Sequence, residues 1–446
     1  MAVANFWGMF LIVSFMGVGL VGIPRNLLMK GKPPSFHITY IESQAPDLSY
    51  QLQDAELALI DLLHEFSSIP NRDDTLSPYY PYFKQIEAQN TEFLQLYRNR
   101  ISQIHSSLLS SSRSSSPSIN LDYLSDLNKR IRDAGMSLKI YAHKWHKLKL
   151  AYFFYTDIGS ADSISSHSLR STIYPYFSWS IWKKKAAFLW YIYVSPYFFR
   201  LVSYFFGIVS FIILESEVME SLHPRFSIIR LIFSFLRSNS FLLEWFFLND
   251  QVFSIFLVSY MCISIYSSVT RLKLFGINML YPSHNSSQRS LLSVGSQFCR
   301  LMIPLCNNFL DLAFPTTKTE FNNLMGKIDV VPIFGSWVNK WTPFIVLFPA
   351  FLAYFRVYSR IMKLFKPDLV IEYEASDLNY DSNILSDSEF DSSINPTILE
   401  GRALLREARS NLESQFARSP SHLTSPSLRA RDEGRFNYLF DGGLLP

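Results

Sequence analysis

Long blocks of uncharged, apolar residues constrain this chain more than any other feature. The first block, residues 6–23, has the sequence FWGMFLIVSFMGVGLVGI and contains no charged side chain. A helix of this length is about 27 Å long, close to the thickness of the bilayer hydrocarbon core. The core of a soluble protein instead uses helices with one apolar stripe. The blocks therefore predict transmembrane helices.

The composition supports this interpretation and excludes nucleic acid as a partner. Hydrophobic residues make up 48% of the chain and aromatic residues 16%, whereas only 17% are charged. Globular proteins average about 25% charged residues. The net charge of +4 is too small to indicate nucleic-acid binding. The lipid bilayer is the first predicted partner.

The blocks predict a polytopic all-α protein with about five spans. Residues 1–25 hold the first span, interpreted as an uncleaved anchor because its positive charges, Arg25, Lys30 and Lys32, follow it. Residues 186–366 form the rest of the transmembrane bundle. Its spans are predicted at about 196–214, 252–269, 291–314 and 342–361.

One further apolar run, residues 226–248, is interrupted by charges. Arg230, Arg237 and Glu244 recur in it at helical spacing. This pattern favours an amphipathic helix lying in the membrane interface, and a re-entrant hairpin stays open as the alternative.

The distribution of positive charge predicts the orientation. Lysine and arginine accumulate on one set of flanks: Arg25, Lys30, Lys32, Lys183, Lys184, Lys185, Arg271, Lys273, Arg289, Arg360, Lys363 and Lys366. The opposite flanks carry the acidic residues Glu215, Glu217, Glu220, Glu244 and Asp250. Positive flanks are cytoplasmic as a rule. The N-terminus is therefore expected outside or in a lumen and the C-terminus in the cytoplasm, in the plasma membrane or an endolysosomal membrane.

Two cytoplasmic parts follow from this topology. Residues 26–185 form a helical insert, with helices predicted at 48–66, 86–108 and 121–155 and a serine-rich linker at 106–118. We expect an antiparallel, coiled-coil-like hairpin that binds cytoplasmic or membrane protein partners.

The C-terminal tail, residues 367–446, is predicted to be largely disordered. It contains one short helix at about 397–417. Thr397 and Glu400 have the spacing of a capping box at its start.

No motif for catalysis, metal or cofactor binding is found, so neither an enzyme nor a cofactor is expected. The chain has no glycine-rich phosphate loop, no GxSxG and no HExxH. His143 and His146 are three residues apart but lack further ligands at useful spacing. The three cysteines lie in apolar runs and are predicted to be buried thiols.

The fourth span is unusually polar and supplies the candidate intramembrane site: Arg300, Asn307, Asn308 and Asp311. A charge in hydrocarbon is costly and normally has a partner. Arg300 and Asp311 are about 16 Å apart along a helix, too far to pair with each other. Two hypotheses stay open for them, a structural pair with another helix and a ligand pathway. Arg200 and Arg356 lie near span ends and are expected to snorkel.

Five segments of the chain match a known pattern: ANFWGMFLIVSFMGVGLVGIPR at 4–25, SIYSSVTRLKLF at 264–275, FCRLMIPLCNNFLDL at 298–312, LMGKIDVVP at 324–332 and, weakly, LEGRALLREAR at 399–409. In order and spacing they resemble the LMBR1-like membrane protein family, in particular its LMBR1 domain-containing protein 2 branch. The motif residues carried over are Gly19, Ile23, Pro24, Arg25, Cys299, Arg300, Pro304, Leu305, Cys306, Asn308, Phe309 and Leu310.

The resemblance implies a non-enzymatic membrane protein. It suggests a receptor-like or signalling and trafficking scaffold, in this branch one that regulates G-protein-coupled receptor signalling. The alternative that it implies is a transporter, or an accessory subunit of one, for a small ligand such as cobalamin. Family members usually carry further spans before the first segment, so a truncated gene model or a reduced homologue is expected.

Overall fold

The computed structural model describes residues 2–69, 78–101, 120–161, 189–238, 250–271, 286, 288–314, 348–355 and 396–418. Within these ranges the regular structure is helical and contains no strand, which confirms the all-α prediction. Two units divide the chain. Unit 1 comprises Met1–Pro33 and Trp179–Asp381, and unit 2 comprises Pro34–Ser178 and Ser382–Pro446.

The longer helices are numbered in chain order. They are α1 (Ala2–Lys30), α2 (Pro34–Ser67), α3 (Tyr80–Leu96), α4 (Leu121–Ala161), α5 (Ser195–Leu222), α6 (Ile228–Ser238), α7 (Asp250–Arg271), α8 (Gln288–Ala313) and α9 (Pro396–Arg418). A π-helical turn, Trp190–Val194, precedes α5, and a 3₁₀ turn, Pro224–Phe226, precedes α6.

Helix α1 packs against the other helices of unit 1. Its apolar side chains point in all directions, so α5, α7 and α8 all pack on it. The core contains Ile12, Phe15, Met16 and Leu20 of α1, Ile213 of α5, Met261 and Ile265 of α7, and Leu301, Leu305 and Phe309 of α8. A helix that is apolar all round is stable only when it is covered by other helices or by lipid.

Two stretches among the described residues are long and apolar enough to cross a membrane, Trp190–Met219 and Gln251–Thr270. They coincide with the second and third predicted spans. Helix α5 continues to Leu222, beyond the predicted end at 214, because Glu215 and Glu217 have intramolecular partners within unit 1. The five-span count stays a prediction, and the span at 342–361 lies outside the described residues apart from 348–355.

One face of α5 is exposed and apolar, as expected for a helix in contact with lipid. Tyr197, Leu201, Tyr204, Ile208 and Phe211 recur every three or four residues along it, and each is exposed. This spacing places them on a single stripe. Hydrocarbon chains of a bilayer would cover such a stripe at no cost in lost hydration.

The ambiguous run at 226–248 contains α6, which turns Ile229 and Phe233 into the core of unit 1. Leu231 and Phe235 on the opposite side are exposed. The run is therefore helical up to Ser238. Residues 239–249 lie outside the described residues, so the interfacial and re-entrant alternatives both stay predictions.

In unit 2, α2 and α4 form an antiparallel hairpin. The hydroxyl of Tyr123 at the start of α4 donates to Glu65 near the end of α2. At the other end of the pair, the rings of His37 and Tyr155 stack with their centroids 4.2 Å apart. The antiparallel arrangement agrees with the prediction, whereas its coiled-coil character stays a prediction. Both helices are longer than expected, and the serine-rich linker at 106–118 lies outside the described residues.

Helix α3 covers one part of this hairpin and uses a glycine to do so. Phe83, Ile86 and Phe93 of α3 join the apolar core formed by α2 and α4. A Cβ atom at Gly135 of α4 would lie 2.8 Å from the ring of Phe93. The glycine therefore gives the Phe93 ring room to pack against α4.

The short tail helix, α9, packs on α2 and α4, and the sequence had not indicated this contact. Leu405 is buried in a core with Ile41, Leu48 and Tyr152. The predicted capping box is wrong. The helix begins at Pro396, and the carboxylate of Glu400 accepts a hydrogen bond from the hydroxyl of Tyr50 instead. The rest of the tail lies outside the described residues.

A close approach between α1 and α7 in unit 1 yields a stability prediction. A Cβ atom at Gly19 would overlap the backbone carbonyl oxygen of Ser264, so α1 and α7 have to move apart in Gly19→Ala. We expect this change to destabilise the protein by about 1–3 kcal/mol, the usual cost of overpacking. The matched control is Gly207→Ala, because a Cβ atom there meets nothing within 4 Å. Thermal unfolding in detergent measures both, and equal midpoints for the two variants would contradict the packing argument.

Candidate functional site

The structure places the four polar residues of α8 in different surroundings. Arg300 and Asp311 are exposed, Asn307 is buried and Asn308 is half-buried. The Nδ2 atom of Asn307 donates to Oδ2 of Asp311, one turn further along the same helix, at 3.1 Å. Among the described residues, the structure does not bring Arg300 together with Asp311. The ligand-pathway hypothesis expects Arg300, Asn307 and Asp311 to line one water-accessible cavity together with other helices.

The interhelix polar contact of α8 is made by Asn308 instead. Its Nδ2 atom donates to Oε1 of Glu217 on α5 at 2.6 Å. Glu217 is 5% exposed, so its carboxylate lies within unit 1. A buried carboxylate needs hydrogen-bond donors to offset its lost hydration. Asn308 supplies one of them and thereby joins α8 to α5.

Neighbouring residues join the ends of α5, α6 and α8. Arg230 of α6 donates through Nε to the carbonyl of Leu312 at 3.2 Å and through Nη2 to that of Asp311 at 3.1 Å. These carbonyls belong to the last turn of α8, which lacks intrahelical donors and attracts positive charge. The side chains of Glu215 and Ser216 of α5 accept hydrogen bonds from the first backbone N–H groups of α6, those of Ile228 and Ile229. The sequence had assigned Glu215 and Glu217 only to an outer flank.

The family-motif residues near the end of α1 form hydrogen bonds with neighbouring segments of unit 1. The carbonyl of Pro24 accepts a hydrogen bond from Ser203 of α5 at 2.7 Å, and Arg25 donates to the carbonyl of Ala353 at 3.3 Å. Ile23 is half-buried against the same core. Arg200 donates to the carbonyl of Gly31 at 2.9 Å, and its snorkelling to the membrane interface stays a prediction. Arg356 lies outside the described residues.

The motif residues of α8 serve mainly in packing. Pro304, Leu305 and Phe309 are buried, and Leu310 is half-buried. Cys262 and Cys306 are half-buried and Cys299 is exposed, so the prediction of three buried thiols is wrong for Cys299 and is met only in part by the other two. Cys299 lies on the outer face of α8 beside Arg300, because Leu301 and Leu305 occupy the face that points into unit 1.

A second polar site lies in unit 2, between α9 and the hairpin. Arg402 donates to both carboxylate oxygens of Glu42, with Nε at 3.0 and 3.1 Å and Nη2 at 3.0 Å. Arg409 donates to Asp157 of α4 at 3.0 Å. Only 3% of the Glu42 side chain is exposed. Pairing with a planar guanidinium offsets the burial of this carboxylate. Hydrogen bonding to Glu42 correspondingly raises the pKa of Arg402.

Sequence reasoning missed this second site. A signal was present in the spacing of Arg402 and Arg409, which lie seven residues apart and therefore on one helix face. Leu405 lies between them on that face. The acidic partners Glu42 and Asp157 belong to distant segments, and nothing local marks them as partners of this helix.

Within the described ranges, no group of three or more histidine, cysteine, aspartate or glutamate residues has the arrangement of a metal site. His143 and His146 lie on α4, and His143 is half-buried close to Lys147. Among the described residues, His143 and His146 therefore have no further ligands nearby with which to bind a metal ion.

Pro24, Arg25 and Asn308, which make some of these contacts, are residues of the family motifs, and comparison with known proteins decides the family. The model of the LMBR1-like membrane protein family matches residues 1–358. The chain belongs to this family. Membership indicates an integral membrane location, in agreement with the predicted class of protein. No solved structure matches the chain.

Relatives of the chain carry the name of the LMBR1 domain-containing protein 2 branch. LMBR1 domain-containing protein 2 homolog A of Dictyostelium discoideum is 24% identical over 411 residues, which cover 87% of this chain and 52% of the relative. The G-protein coupled receptor-associated protein LMBRD2 of Homo sapiens is 24% identical over 387 residues, which cover 81% of this chain and 53% of the relative. The chain therefore spans about half the length of the curated relatives it matches.

The Asn308–Glu217 contact yields a second prediction. Asn308→Ala removes a donor from a buried carboxylate, which typically costs about 1–3 kcal/mol. We expect a lower thermal midpoint in detergent. Arg300→Gln is the matched control on the exposed side of α8, where we expect a change within about 0.5 kcal/mol. A larger loss for Arg300→Gln than for Asn308→Ala would show that the exposed arginine is the structural residue.

A third prediction concerns pH. Burial, and secondarily Lys147, lower the pKa of His143 below its usual value of 6.5. Below pH 6.5 the unfolded chain therefore takes up a proton at this position more readily than the folded chain does, and stability decreases as the pH falls. We expect His143→Gln to show a smaller fall of the thermal midpoint between pH 7.5 and 5.5 than the unmodified protein. An identical fall of the thermal midpoint in both proteins would show that His143 does not contribute to the pH dependence of stability.

Proposed function

We propose that this protein is a membrane-embedded scaffold that associates with G-protein-coupled receptors and regulates their signalling through protein contacts. In this proposal it acts without catalysis. The observation that carries the proposal is unit 2, a helical hairpin fastened by a tail helix, in a chain whose relatives are named as receptor-associated proteins. Helical faces of this kind are common binding surfaces for other proteins.

The surroundings of α8 support a scaffold in preference to a transporter. Asn308 is hydrogen-bonded to Glu217, Asn307 to Asp311, and the end of α8 to Arg230. Asn308 and the end of α8 are used in joining helices, whereas the Asn307–Asp311 contact lies within α8. A transport path for a small ligand such as cobalamin requires polar groups that line a water-accessible cavity. The described residues of unit 1 instead form a close-packed apolar core.

Receptor association can be tested in living cells with a split luciferase. One fragment is fused to this protein and the other to each member of a panel of G-protein-coupled receptors. We expect at least one receptor to give a signal several-fold above that of an unrelated multi-pass protein expressed at the same level. A signal at the control level across the panel would contradict the proposal.

Matched variants decide whether unit 2 carries the association. Leu63→Asp places a charge at a fully buried position of α2, whereas Leu57→Asp places it at an exposed position of the same helix. We expect Leu63→Asp to lose the luminescence signal while membrane insertion is kept, and Leu57→Asp to retain it. Equal signals for the two variants would place the receptor contact outside unit 2.

A further inference from the structure

An arginine lies at the edge of the exposed apolar stripe of α5, which runs from Tyr197 to Phe211. Arg200 follows Tyr197 by three residues and precedes Tyr204 by four, so its side chain leaves the helix beside this stripe. Arg200 is itself exposed. A cation next to an exposed apolar helix face has the same polarity pattern as a phospholipid, which joins a charged headgroup to apolar chains.

Contacts with the end of α1 fix the position of the Arg200 guanidinium. Its Nε atom donates to the carbonyl of Gly31 at 2.9 Å, and its Cζ atom lies 5.9 Å from the centroid of the Tyr197 ring. A Cβ atom at Gly31 would lie 2.8 Å from Cγ of Arg200 and 3.0 Å from the carbonyl oxygen of Pro196. The glycine therefore leaves the room that the stem of Arg200 occupies.

Most of the hydrogen-bonding capacity of this guanidinium is not used inside the protein. A guanidinium carries five N–H donors in a planar fork. The bond to Gly31 uses the one on Nε, and no acceptor among the residues that the structure describes contacts Nη1 or Nη2 of Arg200. Two neighbouring Nη groups match two oxygens of one phosphate, which is the geometry that favours arginine over lysine at phosphate sites.

The surroundings of Arg200 have the composition of a membrane interface. Trp190, in the turn before α5, and Tyr197 are both exposed. Tryptophan and tyrosine are enriched at the level of the lipid headgroups. Lys30, next to Gly31 in the chain, is also exposed. This end of unit 1 belongs to the positively charged flanks that are predicted to be cytoplasmic, and the cytoplasmic leaflet is the one rich in anionic lipids.

The length of the stripe matches one leaflet. Phe211 follows Arg200 by eleven residues, which is about 16 Å along a helix. The hydrocarbon core of a bilayer is about 30 Å thick, so each leaflet contributes about 15 Å. An acyl chain whose headgroup is bound at Arg200 therefore reaches the end of the stripe near the middle of the bilayer.

We infer that Arg200 and the α5 stripe form a binding site for one anionic phospholipid. The Nη groups of Arg200 bind the phosphate, and an acyl chain lies along Leu201, Ile208 and Phe211. Charge complementarity distinguishes this site from general contact with lipid, because covering an apolar stripe requires no arginine and no glycine that makes room for it.

The experiment measures thermal unfolding of the full chain in detergent while dioleoylphosphatidylserine or dioleoylphosphatidylcholine is added. A ligand that binds only the folded protein raises its thermal midpoint. We expect the serine lipid to raise the midpoint at lower concentrations than the choline lipid does. In Arg200→Gln we expect the apparent affinity for the serine lipid to fall at least about fivefold, because charge-assisted hydrogen bonds are lost.

The rise is measured from each variant's own midpoint without lipid, so the loss of the Gly31 contact does not enter it. Identical serine-lipid titrations of Arg200→Gln and the unmodified chain would overturn the inference.

The matched control is Arg225→Gln, which removes an exposed arginine from the 3₁₀ turn beyond the other end of α5. We expect its affinity for the serine lipid to equal that of the unmodified chain. An equal loss in both variants would assign the effect to net charge and overturn the site. If Arg200→Gln fails to fold, Arg200→Lys should still lower the affinity, by a smaller factor, while Arg225→Lys leaves it unchanged.

Two further measurements separate the phospholipid from other occupants. Inorganic phosphate at the same concentration should leave the midpoint unchanged, and a rise equal to that with the serine lipid would assign the site to a free anion. Light scattering tests whether two copies of the chain cover the stripe. A dimer that persists at saturating serine lipid and dissociates in Arg200→Gln would overturn the inference in favour of a protein interface.

Discussion

The arrangement of unit 1 follows from one constraint, the burial of α1. This helix has no charged side chain from Ala2 to Ile23 and is apolar around its whole circumference, so it must be covered on every side. Helices α5, α7 and α8 pack on it and provide part of this cover, and Gly19 allows α7 to approach within backbone contact. The polar contacts of Pro24, Arg25 and Gly31 then fix where the end of α1 lies against its neighbours.

Unit 2 depends on a second constraint, a carboxylate on the buried face of a helix. Glu42 lies on the buried face of α2, and a buried carboxylate is costly unless hydrogen-bond donors or an opposite charge offset its lost hydration. Arg402 supplies both from a helix 360 positions further along the chain. The same contact explains why a short, mostly polar helix is held in place, since few of its side chains are buried.

The two sites show that conspicuous charges are poor guides to function in this protein. Arg300 and Asp311 attract attention because they interrupt an apolar block, yet both lie on the exposed side of α8. The buried polar contact is made by the amide of Asn308, which is far less conspicuous in a sequence. In unit 2 the family-like segment around Gly401 and Arg402 packs on the hairpin, and the acidic partners of its arginines come from α2 and α4.

The sequence by itself determined the class of protein and the positions of most helices. Apolar blocks, helical periodicity and family motifs are local patterns, and the length and type of a helix follow largely from such patterns. The antiparallel hairpin was also predictable, because two amphipathic helices within one insert must bury their apolar faces together. Family membership also followed from the sequence, because the family model matches residues 1–358.

Only the tertiary structure decided which helix faces which, and therefore the partner of each polar group. The roles of Glu42, Asp157, Glu217 and Arg230 depend on residues that are distant in sequence, and no local pattern encodes those pairings. In the sequence, Gly401 is only a glycine that weakens a helix. In the structure, the carbonyl of Glu42 lies so close to it that a Cβ atom would not fit. Pairing energies depend on distance and burial in three dimensions, and a sequence specifies these only after the chain has folded.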